Sequence, residues 1–208
     1  MPAEKVVLAL SPHTDDSEFG AGGTLARMVE EGHRVVYVAL SSCETSLPPG
    51  LAPDTLVHES RRATKELGIH DSRVLDFKVR YFPRDRQDIL EALVRLQREI
   101  QPWLVLAPAS SDIHQDHKTV HEEARRAFKQ SNYLGYELPW NNITMNTNYF
   151  SRLTEGQLDK KVAALMCYES QKSRMYHRAE FIRAAALMRG SQVGAERAEA
   201  FEVIRWIE

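Results

Sequence analysis

Cysteine is scarce in this sequence. Only Cys43 and Cys167 occur among 208 residues, far apart and in no CxxC or zinc-finger spacing. That excludes a thiolate metal cluster and a disulfide framework, so both read as reduced, small apolar residues. No apolar run approaches the roughly 20 residues that span a bilayer, and Val6 to Leu10 is too short even for a signal-peptide core. An excess of charge of one sign is also missing. The 27 Lys plus Arg against 29 Asp plus Glu leave a net charge of −2, which gives non-specific binding to nucleic acid or anionic membrane no support. The expectation is a soluble cytoplasmic protein with no nucleic-acid partner and no membrane insertion.

What is present is an ordinary apolar content of 43% in a chain long enough to bury a core, predicting a single domain over residues 1–208. Lys5 to Ser11 (KVVLALS) and Arg34 to Ser42 (RVVYVALSS) are apolar without alternation, as strands buried on both faces are. Between them, Gly22 to Gly32 has helical spacing. Thr55 to Leu67 predicts a second helix, and Arg73 to Val79 a third strand. Ile89, Leu93, Leu96 and Ile100 form the apolar stripe of a further helix, followed by a strand over Trp103 to Ala107 and a helix over Lys118 to Lys129. Tyr133 to Trp140 and Asn148 to Leu153 are expected strands, Glu155 to Cys167 and Arg174 to Met188 expected helices. Phe201, Val203 and Ile204 lie in an unassigned tail. The alternation predicts an α/β fold, a Rossmann-like three-layer sandwich with a mostly parallel sheet.

Eight histidines are the unusual count. The first strand runs into Pro12-His13-Thr14-Asp15-Asp16-Ser17-Glu18 and the fourth into Ser110-Ser111-Asp112-Ile113-His114-Gln115-Asp116-His117. If the strands are parallel neighbours, both segments meet at the sheet edge where α/β folds place ligands. Two histidines and one carboxylate with an open fourth position make a catalytic zinc site, and His13, Asp16 and His117 would supply it. A spare carboxylate and a spare imidazole then stand by as base and acid. Either segment alone is weak, since Asp often caps a helix and HxxH often starts one. Gly20, Gly22 and Gly23 do not spell GxGxxG and follow an acidic segment hostile to pyrophosphate; close helix packing explains them better.

At these residues the sequence resembles the PIG-L/LmbE-like family of zinc-dependent de-N-acetylases, through PHTDDSEFGAGG (Pro12 to Gly23) and HQDH (His114 to His117). Thr14 replaces the family's usual proline. The resemblance implies the LmbE-like fold, zinc held by His13, Asp16 and His117, Asp15 as general base and His114, as an imidazolium, stabilising the tetrahedral intermediate. It also implies the reaction: loss of an N-acetyl group from an N-acetylglucosamine-type sugar, phosphorylated or nucleotide-linked forms included. Iron(II) is the alternative metal. Asp116 and His121 are expected behind the ligands, orienting them. Arg61 and Arg80, with Trp140 and Asn141, are the expected substrate contacts. Rival readings are amide hydrolysis of an N-acyl sugar–thiol conjugate and a catalytically silent sugar- or nucleotide-binding module. Were the chain a homo-oligomer, Tyr133 to Phe150 would be the expected interface.

Overall fold

A computed structural model describes residues 4–208. The strands are β1 (Val6–Ser11), β2 (Arg34–Ala39), β3 (Asp71–Val74), β4 (Leu104–Pro108), β5 (Asn132–Tyr136), β6 (Tyr149–Arg152) and β7 (Ala198–Arg205). The helices are α1 (Asp16–Glu30), α2 (Thr55–Glu66), α3 (Arg86–Ile100), α4 (Gln115–Ala127), α5 (Glu155–Met166) and α6 (Ala179–Ser191). One seven-stranded sheet runs in the order β3-β2-β1-β4-β5-β7-β6. It is mostly parallel, with β7 antiparallel to both β5 and β6.

The continuous apolar strands divide their side chains between two cores. Val7, Ala9, Val35, Tyr37, Leu104 and Leu106 join one cluster with Phe19, Leu25, Leu56, Leu158 and Ile182 from α1, α2, α5 and α6. Leu8, Leu10, Val36, Val38 and Val105 join the other with Ile89 and Leu93 of α3 and Val120 of α4. Helices therefore cover both faces, which is why these strands lack a polar side.

Several boundaries differ from expectation, each for a local reason. Helix α1 starts at Asp16 rather than Gly22, because Asp16 and Glu18 occupy its first turn, where free N–H groups and the helix dipole favour carboxylates. β3 ends at Val74. The strand expected to Trp140 ends at Tyr136, where the chain turns and Asn142 Oδ1 accepts the Leu138 N–H at 2.8 Å. A 3₁₀ turn over Met175–His177 precedes α6, so Arg174 and Tyr176 belong to a loop. The unassigned tail is β7. Its Glu199 is buried, accepting from Gly23 N at 2.9 Å, Thr24 N at 2.7 Å and Lys161 Nζ at 2.7 Å, and Glu202 accepts from Ser110 N at 2.8 Å.

The α1 glycines permit this close packing. A Cβ on Gly20 would lie 2.3 Å from Tyr136 Cδ2, and one on Gly23 2.5 Å from Leu153 Cδ1. Tyr136 is fully buried and cannot yield. Gly20→Ala is predicted to destabilise the fold by about 1–3 kcal/mol through overpacking. Gly156→Ala, in the first turn of α5 where a Cβ meets nothing within 4 Å, should leave stability unchanged or raise it by about 0.4–1 kcal/mol. Denaturant midpoints of the two variants check both signs.

Candidate metal centre and its cavity

β1 and β4 are parallel neighbours, so the segments that follow them leave the same sheet edge. It is also where the strand order reverses, β2 lying on one side of β1 and β4 on the other. Ser11, the last residue of β1, accepts the Ser17 N–H on its Oγ at 2.8 Å, drawing the intervening residues into a tight connection. His114 caps α4, its Nδ1 accepting the Asp116 N–H at 3.2 Å.

Three atoms converge. His13 Nδ1 lies 3.2 Å from His117 Nε2, and Asp16 Oδ2 lies 3.3 Å from each. The far nitrogens of both rings face carboxylates, which only accept: His13 Nε2 is 3.0 Å from Asp116 Oδ2, and His117 Nδ1 is 2.8 Å from Asp112 Oδ2. Each ring therefore donates outward and, when neutral, turns a lone pair inward. Two nitrogen lone pairs and a carboxylate oxygen at that spacing repel one another unless a cation lies among them. Ligand atoms about 2.0–2.2 Å from a tetrahedral metal sit about 3.3–3.6 Å apart, so the donors fit a divalent ion. His114 lies in a wider group with His13 and His117, their atoms within 4.8 Å. Its Nδ1 is already engaged by the Asp116 N–H, so Asp16 is the better third donor.

The titration of the cluster reports the same charge deficit. Burial lowers the His117 pKa, but Asp16 and Asp112 outweigh it and hold it up at about 10. Burial likewise opposes charge on His13, and Asp16 and Asp116 raise it on balance. Burial would raise Asp16, yet His117 and His13 hold it well below the usual carboxylate range. Asp15 is pushed up to about 6 by burial and by Asp16. His114 is lowered to about 4 by burial and the neighbouring His117 and His13, which favours the neutral imidazole, and its Nδ1 accepts the Asp116 N–H. A capping nitrogen that accepts a backbone N–H has no proton to spare.

Between His13 and Asp15, the Thr14 carbonyl accepts from two buried phenols, Tyr37 Oη at 2.6 Å and Tyr168 Oη. Tyr168 also bonds Glu18 Oε1 at 2.6 Å. With Thr14 in this position, the two phenols hold the backbone that carries both site residues.

The cluster opens into a cavity of about 300 Å³ whose wall includes Asp15, Asp16, Arg80, His114, Trp140 and Asn141. Asp116 is buried against His13 and also accepts from Arg80 N at 2.6 Å. His121 is not brought to the centre. Its Nδ1 bonds Pro108 O at 2.9 Å. Arg61 is exposed on α2 and forms no part of the cavity wall. Trp140 turns a face to Tyr176, with centroids 3.8 Å apart and planes at 11°, so that face is not free for a sugar. Asp112, Arg174 and Tyr176 were not singled out from sequence, and Gln171 only as part of the family resemblance. For Asp112 the signal was present, a carboxylate within the acidic segment after β4.

The family described as PIG-L, GlcNAc-PI de-N-acetylase, matches residues 8–128. The chain belongs to the PIG-L family. A protein of Escherichia coli K12 named uncharacterized deacetylase YaiS is 27% identical over 175 residues, 80% of this chain and 91% of that protein. The diacetylchitobiose deacetylase of Thermococcus kodakarensis is 31% identical over 123 residues, 55% of this chain but only 45% of that enzyme. Among solved structures, GalB, the 4-carboxy-2-hydroxymuconate hydratase of Pseudomonas putida KT2440, aligns with a TM-score of 0.81 and 25% identity over 98% of each chain. Proteins that share this fold thus carry more than one named chemistry.

In this PIG-L chain Asp112 sets the direction of the His117 ring. Asp112→Asn is predicted to lower divalent-metal affinity about 10–100-fold with the fold retained, measured by competition with a chromophoric chelator.

Proposed function

We propose that this chain is a metal-dependent N-deacetylase that hydrolyses the acetamide of an N-acetylglucosamine-type sugar to a free amine and acetate. The observation that carries the reading is the convergence of His13 Nδ1, Asp16 Oδ2 and His117 Nε2 beside a cavity that also presents Asp15 and His114. Two imidazoles and a carboxylate suit zinc, and iron(II) takes the same donor set. A divalent ion held there supplies a Lewis acid for the carbonyl and lowers the pKa of water.

The chain's own groups do the rest. Asp15, ionised at neutral pH, takes a proton from the attacking water. The neutral His114 donates its Nε2–H toward the carbonyl oxygen as charge develops there, the role of an oxyanion-hole donor. Asp15 then returns its proton to the departing amine, so water's two hydrogens end on the amine and the carboxyl product. Asp112 and Asp116 keep the histidine lone pairs aimed inward. Asn141 and Arg80 on the wall are the candidate sugar contacts, and the packing of Trp140 against Tyr176 favours an edge contact over stacking.

The same reading takes the chain as one domain, a Rossmann-like three-layer sandwich, supported by the single sheet and its two cores. It keeps the cytoplasmic setting argued from composition and the small-molecule substrate implied by the family resemblance. A silent binding module is disfavoured, because binding alone needs neither Asp15 nor His114 beside three converging donors.

The test is acetate release from a panel of N-acetylhexosamine derivatives by the metal-loaded protein. Asp15→Asn should retain metal and lose about 100-fold or more in kcat, and His114→Ala should lose mainly kcat rather than raise KM. Absence of acetate release across the panel, or unchanged turnover in Asp15→Asn, would contradict the reading. The hydratase on this fold makes acetate the deciding readout.

A further inference from the structure

Asp15, the base of the proposed reaction, has little of its own to hold it. Among the described residues no other side chain hydrogen-bonds its carboxylate, and the backbone group that does so is its own N–H. The ligands beside it are better restrained. His13 donates its N–H to Asp16 Oδ2 at 2.8 Å and faces Asp116 Oδ2 at 3.0 Å, and His117 faces Asp112 Oδ2 at 2.8 Å. What places Asp15 therefore acts through its backbone.

That backbone is the Thr14–Asp15 peptide. Its oxygen, on Thr14, accepts from Tyr37 Oη at 2.6 Å and from Tyr168 Oη, while its N–H is the group that meets the Asp15 carboxylate. The peptide is planar, so bonds that fix the oxygen also fix the direction of the N–H. Hydrogen bonds in series polarise one another, and an amide whose oxygen accepts two protons is the stronger donor at nitrogen. Tyr37, Tyr168 and Glu18 are fully buried, so none can turn to water instead.

Two phenols on one carbonyl exceed what burial demands, since one donor satisfies it. They also come from unrelated places. Tyr37 lies in β2, paired with Ala9 of β1 on one side and Ser72 of β3 on the other. Tyr168 follows α5 and opens the 3₁₀ turn Glu169–Gln171, whose Gln171 lines the cavity. A phenol has one proton and a carbonyl only accepts, so the Tyr168 proton goes to Thr14 and Glu18 Oε1, 2.6 Å away, supplies the next one as a neutral acid. Glu18 Oε2 is buried without a partner, which costs far more on a carboxylate than on a neutral acid. Every donor in the chain from Glu18 through Tyr168 and Thr14 thus points toward the Asp15 carboxylate.

We infer that Tyr37 and Tyr168 are positioning residues for the general base, acting through the Thr14 carbonyl on Asp15 rather than on the metal ligands. That Asp15 is the base rests on the deacetylase reading; the coupling of phenol to carboxylate stands on the hydrogen bonds. A merely structural phenol would keep its effect whether or not residue 15 is an acid. A positioning one loses its effect when the acid is gone.

The experiment is a double-mutant cycle on the metal-loaded full chain, combining Tyr168→Phe or Tyr37→Phe with Asp15→Asn. Two quantities are read. One is kcat and KM for the best substrate of the acetate-release panel; the other is affinity for acetohydroxamate, a metal-binding amide analogue whose hydroxyl proton a neighbouring carboxylate accepts. Each Phe variant should lose about 10-fold or more in kcat with KM little changed, and should weaken acetohydroxamate binding about threefold or more. Metal affinity, by chelator competition, should stay within about threefold, unlike the loss expected when a ring-orienting carboxylate is removed. In the Asp15→Asn background either Phe substitution should change kcat and hydroxamate affinity by less than about twofold. If one Phe variant fails to fold, the other decides. A loss that persists undiminished beside Asp15→Asn, a loss of metal affinity as large as that of kcat, or no loss in either Phe variant would overturn the positioning role. If no substrate releases acetate, the deacetylase reading fails, and the hydroxamate cycle still decides whether the phenols act on Asp15.

Discussion

Two carboxylates determine what this site can be. Asp112 and Asp116 accept the outward N–H groups of His117 and His13, and that single choice of ring orientation turns both remaining nitrogens toward Asp16. A neutral imidazole has one donor and one acceptor nitrogen, so fixing one end fixes the other. Asp116 is itself held by the Arg80 and Phe82 N–H groups, and Asp112 by the His114 N–H. The loop after β3 is thus bonded into the same cluster as the ends of β1 and β4. A positive charge among the three inward atoms completes the arrangement; without a metal, the imidazoles keep their raised affinity for protons. Metal binding therefore releases protons.

The fold exists around this edge in a concrete sense. β1 and β4 are central strands buried on both faces, and their carboxyl ends cannot drift apart without breaking the sheet. The opposite flank is secured by β7, whose Glu199 ties the Gly23 and Thr24 N–H groups of α1 to Lys161 of α5. Breaking such a buried pair by removing one partner is costly, whereas the pair itself adds little net stability. Its value here is geometric. It sets how α1, which begins with Asp16, lies across the sheet.

How much of this was legible follows from where each signal resides. β1, β2 and β4 stand out because strands covered on both faces are continuously apolar. His13, Asp16, His114 and His117 stand out because they follow those strands. β7 was hidden: Glu199 and Glu202 make AEAFEVIR look half solvated, and the partners that permit their burial lie at Gly23, Ser110 and Lys161. His121 shows the opposite failure, since one-turn spacing from His117 suggested a shared environment and its ring instead meets the Pro108 carbonyl. Arg174 carries no motif at all. Its place on the wall depends on a loop between α5 and α6 that read as the start of a helix.

In the proposed centre three specific atoms hold one divalent ion, with Asp15 and His114 left free beside it. A crystal of the zinc-loaded protein, with anomalous data collected on both sides of the zinc edge, tests it most directly. One ion is expected, with His13 Nδ1, an Asp16 carboxylate oxygen and His117 Nε2 within about 2.0–2.2 Å, and neither Asp15 nor His114 bound to it. An ion held by His114 in place of Asp16, or no ion at this sheet edge at saturating zinc, would contradict it.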